Sequence, residues 1–416
     1  MALKTKNTTT KRGKSAPKLP LEGIRVLDLS AVIMGPFCTQ ILGELGAEII
    51  KVESIEGDII RNVGPGKTPG MAAMFLTNNR GKRSIALNLN DKRARAALDG
   101  LIRTSDVAIH SMLPPGVKRM RLDYESFRKV KPDIVYCALN GFGLTGRYAG
   151  KPAYDDIIQS ASGLAALEGE LRGTPGYAAT VVGDKVSALT AAYAIMAALF
   201  HRQRSGVGQA VEVPMFETLA AFNLVEHLSG AIYKEPISRP LYARVVTRNR
   251  KPYRTTSGYI SAMVHTDRHL QKFCEIIGRP DILRDKRFEN VAARTRNVDA
   301  YYQFLESEIA KRSADEWVAL FEKAELPVQK ILSTDDLLTD PHLADVGFFR
   351  EVDQPGDGKL KVPALPARFS ETPARVSAGV PFLGENTAEI LREAGLGDGE
   401  IAELIADGAA VDGRRA

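Results

Sequence analysis

Cysteine is scarce in these 416 residues, and the three present, Cys38, Cys137 and Cys274, lie far apart inside apolar segments. That pattern excludes a disulfide framework and a cysteine zinc site, and it fits a reducing, cytoplasmic setting. Histidine is nearly as sparse at six. Only His265 and His269 stand four apart, with Asp267 and Arg268 between them and no glutamate after His265. The pair therefore reads as the polar face of a helix, and no metal site is expected. Ser30 and Ser111 end strand-like runs without a nucleophile elbow, which leaves no serine-hydrolase grammar. The longest apolar stretch, Ala188 to Phe200, is too short to cross a bilayer and reads as a buried helix.

Charge excludes further classes. The net charge is +6, but the first 20 residues hold Lys4, Lys6, Lys11, Arg12, Lys14 and Lys18 and no acid, so subtracting 6 from +6 leaves a neutral body. Neither nucleic acid nor membrane is expected as a partner. The Thr- and Ser-rich segment 1–20 reads as a disordered, dispensable basic tail, and without an apolar run it is no secretory signal.

What is present is a run of β-α-β grammar. Ile24–Ser30 reads as a strand, Gly35–Gly46 as a helix, Glu48–Glu53 as a strand, and Ser84–Asn90, Asp106–Ser111 and Ile134–Asn140 as further strands. Helices Lys92–Arg103 and Tyr124–Val130 fall between them. Such units imply an α/β fold with a Rossmann-like parallel sheet, whose ligands bind beyond the C-terminal ends of the strands. A long helix over Asp184–Arg204, a strand over Gln209–Val213 and a helix opened by Pro214 follow.

From about Glu235 arginine and proline become dense, and a domain boundary is placed there. Helices over Asp267–Ile277, Asp299–Arg312 and Asp315–Glu325 predict a smaller α-rich domain. Pro327–Ile331 reads as the start of the return, Leu360–Ser370 as extended, and two short helices close the chain. The expected division is thus a tail over 1–20, a large domain over 21–230, a small domain over 231–330, and a return to the large domain over 331–416.

Two glycine motifs fail on inspection. Gly141-Phe-Gly-Leu-Thr-Gly146 has dinucleotide-fingerprint spacing, but the following Arg147–Pro152 cannot start a helix inside the glycines. Gly66-Lys67-Thr68 resembles the end of a P-loop, yet position 61, where its first glycine belongs, is Arg61.

The stretch from Lys151 to Leu164 is different. Pro152 fixes the chain, and Asp155 and Asp156 precede an apolar run, which is how a helix begins. Asp155 is placed at that helix N-terminus, where the dipole and unpaired amides favour negative charge, the form of a carboxylate nucleophile. A plain helix cap is the alternative.

Pro-x-Tyr-Asp-x-x-x-Gln followed by Ser-Gly-Leu resembles the active-site signature of the family III coenzyme A transferases, and Asp155 falls on the aspartate taken as catalytic there. The resemblance runs from Leu21-Glu-Gly-Ile-Arg-Val-Leu-Asp-Leu-Ser30 through Ile50-Lys51-Val52-Glu53 and Lys82–Asn88 to Phe382–Thr387. It implies an interlocked homodimer of two ring-like subunits, no tightly bound cofactor, and coenzyme A as co-substrate beside an acyl-CoA and a carboxylic acid.

The resemblance also implies coenzyme A contacts at Ile33, Met34, Leu87, Asn88, Leu89, Asn90, Asn140, Gly141, Phe142 and Gly143, and at Arg119 for the phosphates. Ile33 replaces a glutamine of the formyl-CoA enzyme, Ile109–Pro115 departs from the Asn-Phe-Arg-Pro-Gly form, and no glycine-rich lid is evident. These departures argue against formate and oxalate and toward a less polar acid. The alternatives are a 2-methylacyl-CoA racemase, although no histidine lies between His110 and His201, and a non-catalytic coenzyme A binder.

Overall fold

The computed structural model describes residues 19–376 and 379–413. The basic tail expected over 1–20 lies outside them apart from its last two residues. Six of the apolar runs form parallel strands: β1 (Arg25–Leu29), β2 (Glu48–Glu53), β3 (Arg83–Leu87), β4 (Val107–His110), β5 (Val135–Asn140) and β6 (Ala210–Pro214). From β1 to β5 they are almost wholly buried, as expected of a parallel sheet covered on both faces.

The order is β3-β2-β1-β4-β5-β6, with a seventh strand, Ala410–Val411, antiparallel to β3 at the edge. This is the order of a doubly wound sheet. The direction of winding reverses at β1, so the crevice where ligands collect lies between the C-terminal ends of β1 and β4. That antiparallel strand makes the sheet mixed rather than purely parallel, and at two residues it carries no periodic signal in the sequence.

The helices between the strands start where side chains accept the orphan amides. Asp91 caps Lys92–Arg103 through the amides of Arg93 and Ala94, and Asp123 caps Tyr124–Val130. Leu98, Leu101 and Ile102 of the first and Phe127 of the second pack into one core with Leu27, Ile50, Ile85 and Tyr136.

The chain groups into two compact units. One comprises the described parts of Met1–Pro152, Asp184–Met215 and Gly347–Ala416; the other is Ala153–Gly183 with Phe216–Val346. The small domain expected over 231–330 falls wholly inside the second unit, which also takes in the Asp155 stretch. Val328–Lys330 does not begin the return: it pairs with Gly258–Ala262 as the third strand of a small antiparallel sheet with Tyr253–Thr255. Helices Asp267–Ile277, Val298–Ile309 and Ala314–Lys323 bring Phe273, Leu305, Trp317 and Phe321 into that unit's core. The extended segment after Gly347 is a hairpin of Phe349–Gln354 and Gly358–Pro363.

The apolar stretch Ala188–Phe200 is part of the long helix expected over Asp184–Arg204. That helix runs Val182–Ser205, 24 residues, long and apolar enough to cross a membrane by length and composition alone. A soluble core helix passes the same test, and Ala188, Ala191, Ala192, Ile195 and Ala198 are buried within the protein.

Candidate active site

Asp155 is the first residue of the helix Asp155–Ala161, preceded by extended Tyr154, whose side chain makes no cap. Apolar and amide groups at i+3 and i+4 share its face, so Asp155, Ile158 and Gln159 are buried while Asp156 and Ile157 point outward. Asp155 is 6% exposed. The Gln159 amide nitrogen donates to Asp155 Oδ2 at 2.5 Å. Its orientation is set from behind, because Gln159 Oε1 accepts the Ala178 N–H at 2.8 Å, which leaves the NH2 group facing the carboxylate. The Asp-x-x-x-Gln spacing of the sequence is thus one helical turn with a bond across it. Gly163, at φ 85°, then turns the chain left-handed into the helix Leu164–Arg172.

The expected coenzyme A loops separate into three places in the other unit. Leu87–Asn90 line a cavity of about 530 Å³ with Ser30 and Ala31 after β1, the loop from Lys51 to Ile59 after β2, and Met112 and Met120. Arg119, exposed at the end of the short helix Pro114–Arg119, lines a neighbouring cavity of about 470 Å³ that shares Leu89, Asn90 and Met120 with the first. Asn140 lines a third, of about 710 Å³, with His110, Met112, Tyr124, Tyr136 and Leu144. Asn140 is buried, and its Nδ2 has no hydrogen-bond partner among the described residues.

Ile33 and Met34 do not line the first cavity. They open the helix Met34–Glu44, and Met34 is buried. Phe142 is buried edge-on to Tyr148, with ring centroids 5.4 Å apart, and Gly141 and Gly143 flank it in a loop that stays irregular as far as Tyr154. No helix begins inside those glycines, as the rejection of the dinucleotide fingerprint requires.

Sequence reasoning missed the charges beneath the first cavity. Lys51, inside the buried strand β2, reaches the Ser30 carbonyl at 3.0 Å and Asp58 at 2.9 Å. Glu53 holds Arg61 through two bonds of 2.7 Å and accepts from Ser84 Oγ and the Asp58 N–H. Asp28 binds Lys82 at 3.1 Å, Thr39 Oγ1 at 2.6 Å, and Ser30 Oγ. Burial alone would raise the Asp28 pKa, but the Lys82 and Lys51 ammonium groups and the two hydroxyls outweigh it and bring it down to about 2.

Asp58 also accepts the Val32 N–H through both oxygens at 3.2 Å. Val32 sits at φ 69°, a left-handed conformation costly for a β-branched residue, so the buried ion pair holds a strained turn directly after Ala31, which lines the cavity. The sequence signal was slight: Lys51 stands between Ile50 and Val52 in a strand whose ends, Glu48 and Glu53, are charged as well.

His110 is buried with both nitrogens engaged. Nδ1 accepts the Met112 N–H at 3.1 Å and Nε2 meets Tyr136 Oη at 2.7 Å, while Tyr136 donates to the Leu122 carbonyl. Burial lowers its pKa to about 4, so it is neutral at physiological pH. Among the described residues no group of His, Cys, Asp and Glu is arranged to hold a metal ion.

Comparison with known proteins places this geometry. The model of CoA-transferase family III matches residues 21–387. The succinate–glutarate CoA-transferase of Agrobacterium fabrum is 33% identical over 388 residues, covering 90% of this chain and 96% of that one. The probable fatty acyl-CoA transferase Rv3272 of Mycobacterium tuberculosis is 31% identical, covering 91% and 98%. A crystal structure of Rv3272 superposes with a TM-score of 0.79 at 29% identity, covering 90% of this chain and 99% of that one. With the match running nearly end to end through the sheet, the loops and the Asp155 stretch, the chain is a transferase enzyme and belongs to CoA-transferase family III.

Proposed function

We propose that the enzyme moves coenzyme A from an acyl-CoA donor to a free carboxylic acid, with Asp155 as the covalent carboxylate. Asp155 attacks the thioester carbonyl, forming a mixed anhydride and releasing CoA thiolate. The thiolate attacks the Asp155 acyl carbon, giving an aspartyl-CoA thioester and freeing the donor acid. The acceptor carboxylate then attacks that thioester, forming a second anhydride and again releasing thiolate. Attack of the thiolate on the acceptor's carbonyl yields the new acyl-CoA and restores Asp155. The observation that carries this reading is the buried Asp155 carboxylate fixed by the Gln159 amide, a preset nucleophile withheld from bulk water.

Asp184 supports a second assignment. It lies in the first turn of the 24-residue helix and is half-buried, more open to a substrate than Asp155. One experiment decides: turnover with acyl-CoA in the presence of hydroxylamine, followed by peptide mapping. A hydroxamate on Asp155, with loss of turnover in Asp155→Ala but not Asp156→Ala, is expected. A mark on Asp184 moves the nucleophile there, and no mark on any carboxylate sinks the covalent route.

Racemisation is disfavoured because it needs a free base at the α-carbon, and both nitrogens of His110 are engaged. Coenzyme A as co-substrate is supported by the two linked cavities around Leu89, Asn90 and Met120, with the exposed Arg119 available to phosphate. The interlocked homodimer belongs to the same proposal. It is supported by exposed Phe222, Leu224, Val225, Ile232, Tyr233 and Ile237 on and after the helix Met215–His227, an apolar patch that calls for cover. Sedimentation that finds a folded monomer on dilution overturns it. A cytoplasmic location is proposed from three buried free cysteines, and fractionation of the producing cells tests it.

A further inference from the structure

The second unit holds a cleft that the chemistry above does not use. It measures about 30 Å³ and is lined by Arg244, Tyr253, Met263, His265, Arg294 and Tyr302 among others. Its charge is one-sided. Arg294 is fully engaged, donating to the Phe288 carbonyl at 2.8 Å, the His265 carbonyl at 2.9 Å and Asp267 at 2.6 Å. Arg244 is not. Among the described residues no carboxylate lies within ion-pairing distance of it, and its half-buried guanidinium meets the Tyr242 and Tyr302 hydroxyls and Met263 Sδ at 3.6 Å.

The half-buried His265 imidazole is held below its usual pKa by burial and by the positive charges of Arg244, Arg294 and His269. Asp267, already bound to Arg294, is the one carboxylate in this group of side chains to answer them. A cation drawn partly out of water without a counter-charge is costly, and the planar fork of arginine matches a carboxylate in a bidentate pair.

Size selects among anions. A water needs roughly 10–15 Å³ of such space, so the cleft has room for about two oxygen-sized atoms. That suits the pair of oxygens on a flat carboxylate better than the three or four of a tetrahedral phosphate.

We propose that this cleft binds the carboxylate of a small organic acid, with Arg244 as its bidentate partner and the Tyr302 hydroxyl beside it. The carboxylate comes either from the acceptor acid, which rests on the transfer reading above, or from a second acid that binds without reacting. Binding itself requires no turnover, so the site stands or falls separately from the transferase mechanism.

The test uses the full chain with isotope-labelled histidine, following the His265 ring resonance by NMR, with glutarate as the probe and inorganic phosphate at equal ionic strength as the control. Glutarate should raise the His265 pKa in a saturable way and phosphate should not. Arg244→Gln should weaken the glutarate effect about tenfold or more, the loss expected for a hydrogen-bonded charge. Arg244→Lys, which keeps the charge and loses the fork, should fall between and guards against a misfolded variant. Equal responses to glutarate and phosphate, or unchanged affinity in Arg244→Gln, would overturn the proposal. Transfer kinetics then separate the sources: a raised KM for the acceptor with kcat kept assigns the site to the acceptor acid, and an unchanged KM assigns it to a second acid.

Discussion

The two units bury different things. Beneath the cavity at the strand ends the large unit encloses three cations and three carboxylates, Lys51, Lys82, Arg61, Asp28, Asp58 and Glu53. The small unit is organised around rings: Phe273 stacks on Trp317 at 5.9 Å, Phe321 meets both edge-on, and Phe304 lies against Phe273 and Phe288. Buried ion pairs gain little net stability over apolar packing, but they fix direction, and here they fix the turn at Val32 and the loop from Glu53 to Asp58. Aromatic packing gives stability with little directional demand. The difference predicts that stability of the large unit depends on pH and that of the small unit depends on volume.

The largest effect should come from Trp317→Ala, which empties the aromatic core and deletes the indole bond to the Ile309 carbonyl at 2.7 Å. A loss of about 5 kcal/mol is expected in denaturant unfolding, with no change in its pH dependence. Lys51→Met should cost slightly less, about 4 kcal/mol, because Asp58 is left buried without its cation. It should also release the Val32 turn, so binding at the neighbouring cavity falls together with stability. If Lys51→Met proves as stable as the parent, the ion pairs are replaceable packing and the contrast fails.

His110 sharpens the contrast further. Its folded pKa of about 4 lies below its unfolded value of 6.5, so the unfolded chain binds more protons between them and stability falls as pH drops from 6.5 toward 4. The expected loss is about 3 kcal/mol, and His110→Gln should flatten that limb. Asp28 contributes the smallest step. Its folded pKa is depressed from 3.8 to about 2, so its stabilisation is present above pH 3.8 and lost below, by about 2 kcal/mol. Trp317 is the chain's single tryptophan and belongs to the small unit, so its fluorescence should miss both limbs while far-ultraviolet dichroism reports them. Coincident limbs by both probes would mean that the units unfold together.

Legibility in the sequence followed local chemistry rather than the division into units. Helices Lys92–Arg103, Tyr124–Val130 and Asp267–Ile277 were readable to the residue because Asp91, Asp123 and Thr266 mark their starts chemically. The six parallel strands stood out as apolar runs. Pro327–Ile331 resembles the start of the return in sequence because its three strand residues, Val328–Lys330, carry no pattern of their own, and only pairing with Gly258–Ala262 makes them a strand. At the site, the Asp155–Gln159 spacing was visible, while the burial of Asp155 and the backing bond from Ala178 depend on segments brought together by folding. The network around Lys51 was hidden for the same reason: its partners Ser30 and Asp58 flank the strand, and charge alone does not tell a surface lysine from a core one.

The edge of β3 is covered late in synthesis. Ala410–Val411 pairs with Ala86 and Leu87, and Asn386 and Thr387 bond the Ser84 and Ala86 amides, so the strand's partners leave the ribosome only after the whole second unit has been made. Until then a nascent chain carries β1 to β6 with one flank of β3 open, a template for pairing with a neighbouring chain. Closure across so many intervening residues is also slow. The return segment thus acts as a stopper that arrives last, and protection of that edge during translation becomes a matter of timing and chaperone supply rather than of final stability.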